Sequence, residues 1–566
     1  MINFEALGGI GFLYAFVIAA LSAYSQYVVL RAGVFSMATA GFMAIGAYSV
    51  AIMSVRFGQS PLIGMATAVV VATLCGLGIG LLVFRLRGVY QGIATLSFVL
   101  VIQQILSLGG KLTGGPFGIS GIPLFAETSV LLLGLAGVLA VVILVELSPI
   151  GREQAAIRID EIAAASLGAN VAKSNLVAIA YSAALGGFAG GMMAGNQFAI
   201  DPSVFSFHLI IATLSAVIIG GYRSFLGPIL GSSIVVALPL LFSHYAVLAT
   251  TAVSLATIAT LALAPNGVAS LLRVDSEFIL KFVWRRFPFS QAKNHAALAR
   301  NGSGPQANLV ADNIARAYGS VKAVDGVSMS VRPGQIVGLI GPNGAGKTSV
   351  INLLAGLSAL DSGTIMLGAT RLEELPAYRV QRLGLARTFQ ACRLFHEHSV
   401  ISNLLFSATA GRTKQRRREF PDAACVAAAI ELVHCGELAD RRADSLPYAF
   451  QRRVEIARAL AGEPKFLVLD EPAAGMTQSE AAELGDTLRT IAHQGIGALV
   501  VDHNVPWILS LCDIVYVQHL GKIIACGTPR EVRENPLVIA AYIGERGISG
   551  KHTVKRPANA DQEGLI

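Results

Sequence analysis

Residues 336–348 read IVGLIGPNGAGKT: an apolar run, a glycine-rich turn, then a lysine and a hydroxyl at the start of SVINLLAGL. The pattern GxxxxGK[ST] between a strand and a helix is a phosphate loop. Backbone N–H groups along Gly341, Pro342, Asn343, Gly344, Ala345 and Gly346, proline excepted, face phosphate oxygens, and Ser349 continues the first helical turn. Lys347 reaches the β- and γ-phosphates, and Thr348 offers its hydroxyl to Mg²⁺. A second apolar run, FLVLDEP at 466–472, ends in two acids. Asp470 is placed to hold Mg²⁺ through water, and Glu471 to orient or polarise an attacking water. ATP and Mg²⁺ are the cofactors this chemistry implies.

The elements that carry these residues occupy only half of the chain. It has 566 residues, 54% of them hydrophobic. A mean hydropathy of +0.62 is too apolar for a soluble protein of that length. From Met1 to about Leu272 long apolar runs follow one another, and charged residues are sparse. From about Arg273 onward the composition is that of an ordinary α/β protein. The six cysteines contain no CxxC pair, which points to reduced thiols rather than a disulfide framework or a zinc site. The net charge of +8 includes Arg273, Lys281, Arg285, Arg286, Lys293 and Arg300, clustered just after the last apolar run. That placement fits anionic headgroups better than nucleic acid. The run TKQRRRE at 413–419 reads as a solvated helix face.

A membrane helix needs about 20 apolar residues. Nine candidates are 9–30, 33–55, 61–84, 88–108, 128–147, 175–195, 207–222, 225–241 and 246–263, of which one or two short ones, such as 207–222, need not cross fully. The start carries Glu5 and no basic leader, so a retained span is expected there rather than a cleaved signal. Basic residues at Arg31, Arg85 and Arg87, Arg152 to Lys173, Arg223 and after 272 alternate with loops nearly free of them, which places that side and the second half in the cytoplasm. Glycines at 184–195 and 218–233 allow close helix packing. The loop SPIGREQAAIRIDEIAAASLGAN, 148–170, predicts an amphipathic helix from about Arg152 to Leu167, ended by Gly168 and available to a cytoplasmic partner.

The stretch from Asn308 to about Gly544 resembles the ATP-binding subunit of an ABC transporter, and more narrowly the branched-chain amino acid importer family. ARTFQACRLFHEHSVISNLL, 386–405, carries the narrower likeness. The resemblance makes Gln390 the Q-loop glutamine sensing Mg²⁺ and the γ-phosphate. It likewise makes Tyr318 the aromatic stacked on adenine and His503 the switch histidine. LRGVYQGIATLSF (86–98), TGGPFGISGIP (113–123) and SPIGREQAAIRIDEIAAASLG (148–168) resemble the permease subunits of that family. The segment Glu161 to Gly168, with Ala164 at its centre, then corresponds to the coupling helix that docks on the ATPase. The implied architecture is a polytopic α-helical membrane domain (1–272), a basic linker (273–307), an α/β phosphate-loop ATPase (308–545) and a polar tail (546–566). The implied setting is a bacterial inner membrane, with ATP-driven import of branched-chain amino acids or related small polar solutes. The implied partners are a second permease, a second ATPase and a periplasmic solute-binding protein.

One stretch departs from the family. Its signature is similar to LSYGQQRR, and this chain has LPYAFQRR at 446–453. The signature serine and glycine contact ATP held by the opposite ATPase. Pro447 has neither a hydroxyl nor an N–H, Ala449 adds a Cβ, and Phe450 replaces an amide. AAGMT at 473–477 also differs from the family's AAGLN. An intact phosphate loop beside a degraded signature predicts pairing with a different ATPase. A regulatory chain with little turnover and an exporter are the alternatives; the short spans and the EAA-type loop argue against the exporter.

Overall fold

Long apolar runs in the first half form helices, because in lipid an intrahelical ladder satisfies each backbone group within its own segment. The exception among the described residues is a short antiparallel strand pair, Ile119–Ser120 with Ala199–Ile200. The computed structural model describes residues 9–242, 246–272, 307–412 and 422–549. The basic linker, the 413–419 run and the end of the tail lie outside the described residues. The chain divides into two compact units, Met1–Ala164 with Ala169–Pro288, and Ala165–Gly168 with Phe289–Ile566.

In the first unit the long apolar helices are α1 (Ile10–Arg31), α2 (Thr39–Ala51, continued as a π-helical turn to Arg56), α3 (Pro61–Val83), α4 (Val89–Leu108), α5 (Thr128–Leu147) and, further on, Val171–Asn196. Among the described residues these six are long and apolar enough to cross a membrane. The expected single amphipathic helix between them is in fact two, α6 (Pro149–Ile159) and α7 (Glu161–Ser166). Asp160 breaks it: the residue is extended at φ −152°, and its carboxylate accepts from the Ala163 N–H at 2.9 Å. Gly168 does end the segment, at a φ of +103°. Val171–Asn196 is α8, followed by three shorter apolar helices, α9 (Phe207–Gly220), α10 (Gly227–Leu241) and α11 (Ala246–Leu263). At 14 and 15 residues, α9 and α10 fall short of the ~20 a crossing needs. Their turn closes on glycine: a Cβ on Gly220 would sit 1.8 Å from the Gly227 carbonyl oxygen. Glycine also lets α2 and α8 touch backbone to backbone, where a Cβ on Gly46 would meet the Gly187 oxygen at 2.1 Å.

The second unit has two sheets. Strands β1 (Leu309–Tyr318), β2 (Val321–Val331), β4 (Ser362–Leu367) and β5 (Thr370–Arg371) form an antiparallel sheet in the order β2-β1-β4-β5. The other sheet contains β3 (Ile336–Ile340), β6 (Leu385–Arg387), β7 (Phe466–Asp470), β8 (Gly497–Val501), β9 (Ile514–His519) and β10 (Lys522–Gly527). Its order is β10-β9-β3-β8-β7-β6, parallel except for the β9–β10 edge pair. β3, β7 and β8 are buried at every position, as covered parallel strands are. Helix α12 (Lys347–Leu354) follows β3; α13 (Val400–Ala410), α14 (Asp422–Leu432) and α15 (Tyr448–Leu460) form a helical layer; α16 (Gln478–His493) starts at a Thr477–Glu480 capping box. All six cysteines are free thiols.

Candidate functional site

The carboxyl ends of β3 and β7 lie in one parallel sheet with only β8 between them, so the phosphate loop and the two acids are delivered to the same edge. After Ile340 the chain turns through the glycine loop, and α12 begins at Lys347. Gly346 has a φ of +102°, and a Cβ there would lie 2.0 Å from the Ala323 oxygen, so only glycine fits. The Lys347 ammonium is buried and donates to the carbonyls of Gly341 and Pro342, at 2.7 and 2.9 Å. A cavity of about 420 Å³ opens over the loop, lined by Asn343 through Ser349 on one side and by Gln390, Glu471 and His503 on another.

Asp470 ends β7 at 1% exposure, with the Arg387 guanidinium 3.4 Å away. Burial pushes its carboxyl above the usual range, and Arg387 opposes that shift. Burial also lowers Arg387, whose other terminal nitrogen donates to the Asn352 side-chain oxygen on α12 at 2.5 Å. The Asp470 Oδ1 is buried and has no hydrogen-bond partner among the described residues. An orphaned carboxylate oxygen, with the Thr348 hydroxyl and the Gln390 amide as further hard donors, fits Mg²⁺, which takes one or two carboxylates beside phosphates and water.

Glu471 follows in a left-handed conformation, φ +49°, that non-glycine residues rarely adopt. Its N–H is fixed to the Val501 oxygen at 2.7 Å. Its carboxylate accepts from the Gln390 amide at 3.0 Å and lies 2.6 Å from the His503 Nε2. The glutamine, the acid and the histidine are thus brought together. Tyr318 is not drawn in: 45% exposed at the end of β1, it bonds to the Ser358 hydroxyl and lies under the Arg316 guanidinium, outside the lining of the cavity.

Pro447 is the N-cap of α15, φ −57° and ψ 150°, and supplies no side-chain cap. The helix forms directly behind it, from Tyr448, with Ala449 and Phe450 in its first turn. The Phe450 ring lies under the Arg453 guanidinium. Arg452 is buried and reaches back to the Phe389 carbonyl at 2.6 Å, to the Gln390 carbonyl and to Glu455 at 2.9 Å. Helix α15 and the Phe389–Gln390 segment are therefore bolted together. In the membrane unit Glu161 pairs with Arg87 at 2.5 Å, and Ala164 is buried. Four residues escape a reading of motifs: Arg387, Asn352 and Arg452, and Asp502, which accepts from the Ala473 and Asn504 N–H groups. The arginines of RTFQ and QRR and the aspartate of VVDHN are the signal that was available.

Three family models match: the branched-chain amino acid transport system permease component over residues 9–264, the ABC transporter over 324–474, and the branched-chain amino acid ATP-binding cassette transporter over 522–548. The ATP-binding protein LivG of high-affinity branched-chain amino acid transport from Salmonella typhimurium is 39% identical, the match covering 42% of this chain and 98% of that protein. BraF of Pseudomonas aeruginosa, of the same description, is 38% identical over 40% of this chain and 94% of its own. LptB of Escherichia coli, the ATP-binding protein of a lipopolysaccharide export system, is 36% identical over 42% and 98%. A permease-type half and an ATP-binding half matched in one polypeptide make this chain a fused member of the ABC transporter family, on its branched-chain amino acid branch.

Proposed function

We propose that the chain is one half of an importer that uses ATP to move branched-chain amino acids, or closely related small polar solutes, across a bacterial inner membrane. The observation that carries this is the permease-type match over residues 9–264 in the same chain as the cassette. A cassette alone would not fix the cargo, since LivG is named for branched-chain amino acid transport and LptB for lipopolysaccharide export. A second permease, a second ATPase and a periplasmic binding protein complete the assembly. The segment Glu161–Gly168 acts as its coupling element, passing ATPase closure to the permease.

In the site, Lys347 and the loop N–H groups balance phosphate charge, and Thr348, Asp470 and Gln390 would hold Mg²⁺. When bound, that ion neutralises charge developing on the phosphates. Glu471 accepts a hydrogen bond from the attacking water and aligns it on the γ-phosphorus, while Gln390 and His503 fix the carboxylate. Adenine stacking falls to Tyr318 once nucleotide closes over the end of β1.

Pro447 and Ala449 make the second ATPase a different chain with an intact signature. Two copies of this chain would face each good phosphate loop with a poor signature. Losing a positioned phosphate donor costs on the order of 10²–10³ in rate. ATPase assays on the chain alone, on Pro447→Ser with Ala449→Gly, and on the chain with its partner should read slow, restored and fast. Brisk hydrolysis by a verified homodimer of the unaltered chain would remove the case for a different partner. Persistent silence of the repaired chain and of the pair would favour a regulatory subunit with little turnover, the reading that Pro447 itself suggests.

A further inference from the structure

The turn from α3 to α4 lines a cavity of about 670 Å³ in the membrane unit, none of whose lining residues belongs to the nucleotide site. Arg85 and Arg87 on that turn and Arg158 near the end of α6 line it, against one carboxylate, Glu161. Glu161 is engaged by Arg87 at 2.5 Å, so the wall as a whole stays cationic. Arg158 is held over the Tyr222 ring, 5.3 Å from its centroid. Two long helices begin at the same cavity: α4, with Gly88 and Gln91 in the lining, and α8, with Val171, Ala172 and Asn175. α4 starts without a side-chain cap, which leaves first-turn N–H groups for an anion.

An independent observation points to a ligand. Gln91 lines the cavity at 4% exposure, and its amide nitrogen is buried without a hydrogen-bond partner. Buried donors are almost always paired, and an anionic oxygen supplies the missing acceptor. The surface next to the cavity is apolar and open: Val89 is 69% exposed and Tyr90 75%. On a membrane-crossing helix such residues meet acyl chains. A cationic wall with a spare donor, under an apolar rim, suits a molecule with a phosphate head and a hydrocarbon tail.

We propose that this cavity binds the phosphate-bearing headgroup of an anionic membrane lipid, gripped by Arg85, Arg158 and Gln91. The test is native mass spectrometry of the full chain in mixed micelles containing phosphatidylglycerol or phosphatidylcholine. The chain should retain phosphatidylglycerol preferentially. Arg85→Gln with Arg158→Gln should weaken that retention about thirtyfold, at the usual contribution of an arginine to anionic-lipid attraction. Arg85→Lys with Arg158→Lys should keep most of it, and Gln91→Leu should weaken it with every charge intact. Melting temperatures in detergent identify a variant that unfolds, and Gln91→Leu then carries the test. Titration with inorganic phosphate alone separates the sources: phosphate binding at Arg85 and Arg158 without lipid selectivity would overturn the lipid assignment. Equal retention of both lipids, or retention unchanged in the glutamine and leucine variants, would overturn the site.

Discussion

Glu471 spends conformational energy on its position: a left-handed φ of +49° turns its carboxylate toward both Gln390 and His503. Replacing it by glutamine keeps the shape and the N–H tie to Val501 and removes the charge that aligns water. Glu471→Gln is expected to bind ATP as the unaltered chain does and to lose at least a hundredfold in turnover, in the order expected for a positioned general base. Nucleotide binding by equilibrium dialysis and steady-state phosphate release in the assembled complex check the two halves of that statement. Arg387 gives a second case. Arg387→Met leaves the buried Asp470 carboxylate without its cation, a change that costs about 3–5 kcal/mol when a buried pair is broken. Denaturation should show that loss, and it should shrink when Mg²⁺ and ATP are present to meet the same carboxylate. The first residue was legible and the second was not. Lys347, Asp470 and Glu471 declare themselves because phosphate chemistry fixes their types and their distance from a strand end. Arg387 acts on a residue 83 positions away, so its role appears only once β6 and β7 lie side by side.

Helix existence follows from composition alone in the membrane unit, and six of the long apolar segments were readable as such. The break at Asp160 was not, because an amphipathic pattern continues through it; the extended backbone of Asp160 ends α6, and its carboxylate accepts from the Ala163 N–H in the first turn of α7. The short pair α9 and α10 looked like two spans for the opposite reason: hydropathy is blind to the tight glycine turn that limits each helix. Close packing of α2 on α8 is a more demanding feature. A Cβ on Gly190 would fall 2.0 Å from the Met43 oxygen, against backbone that has no rotamer to yield. Gly190→Val should therefore separate the two helices and lower stability by about 1–3 kcal/mol or more. A thermal melt of the detergent-solubilised chain would register it, and Gly78→Val, where nothing lies within 4 Å, is the matched control expected to melt normally.

At the scale of the molecule, a pair of cassettes working head to tail would divide each chain between two ATP sites. On that arrangement the phosphate loop, the Gln390 loop and Glu471 would serve the site the chain owns, and α15 would serve the site across from it. Arg452 joins the two, since it sits on α15 and bonds to the carbonyls of Phe389 and Gln390. Linkage then works in both directions with one free energy: whatever nucleotide at the first site does to affinity at the second, the second must return to the first. Severing the bolt with Arg452→Met should lower the Hill coefficient for ATP in the heteromeric complex toward one, while binding to each site taken singly persists. The weak site, poor as it is at turnover, would on this account keep a use as the allosteric reporter of the strong one.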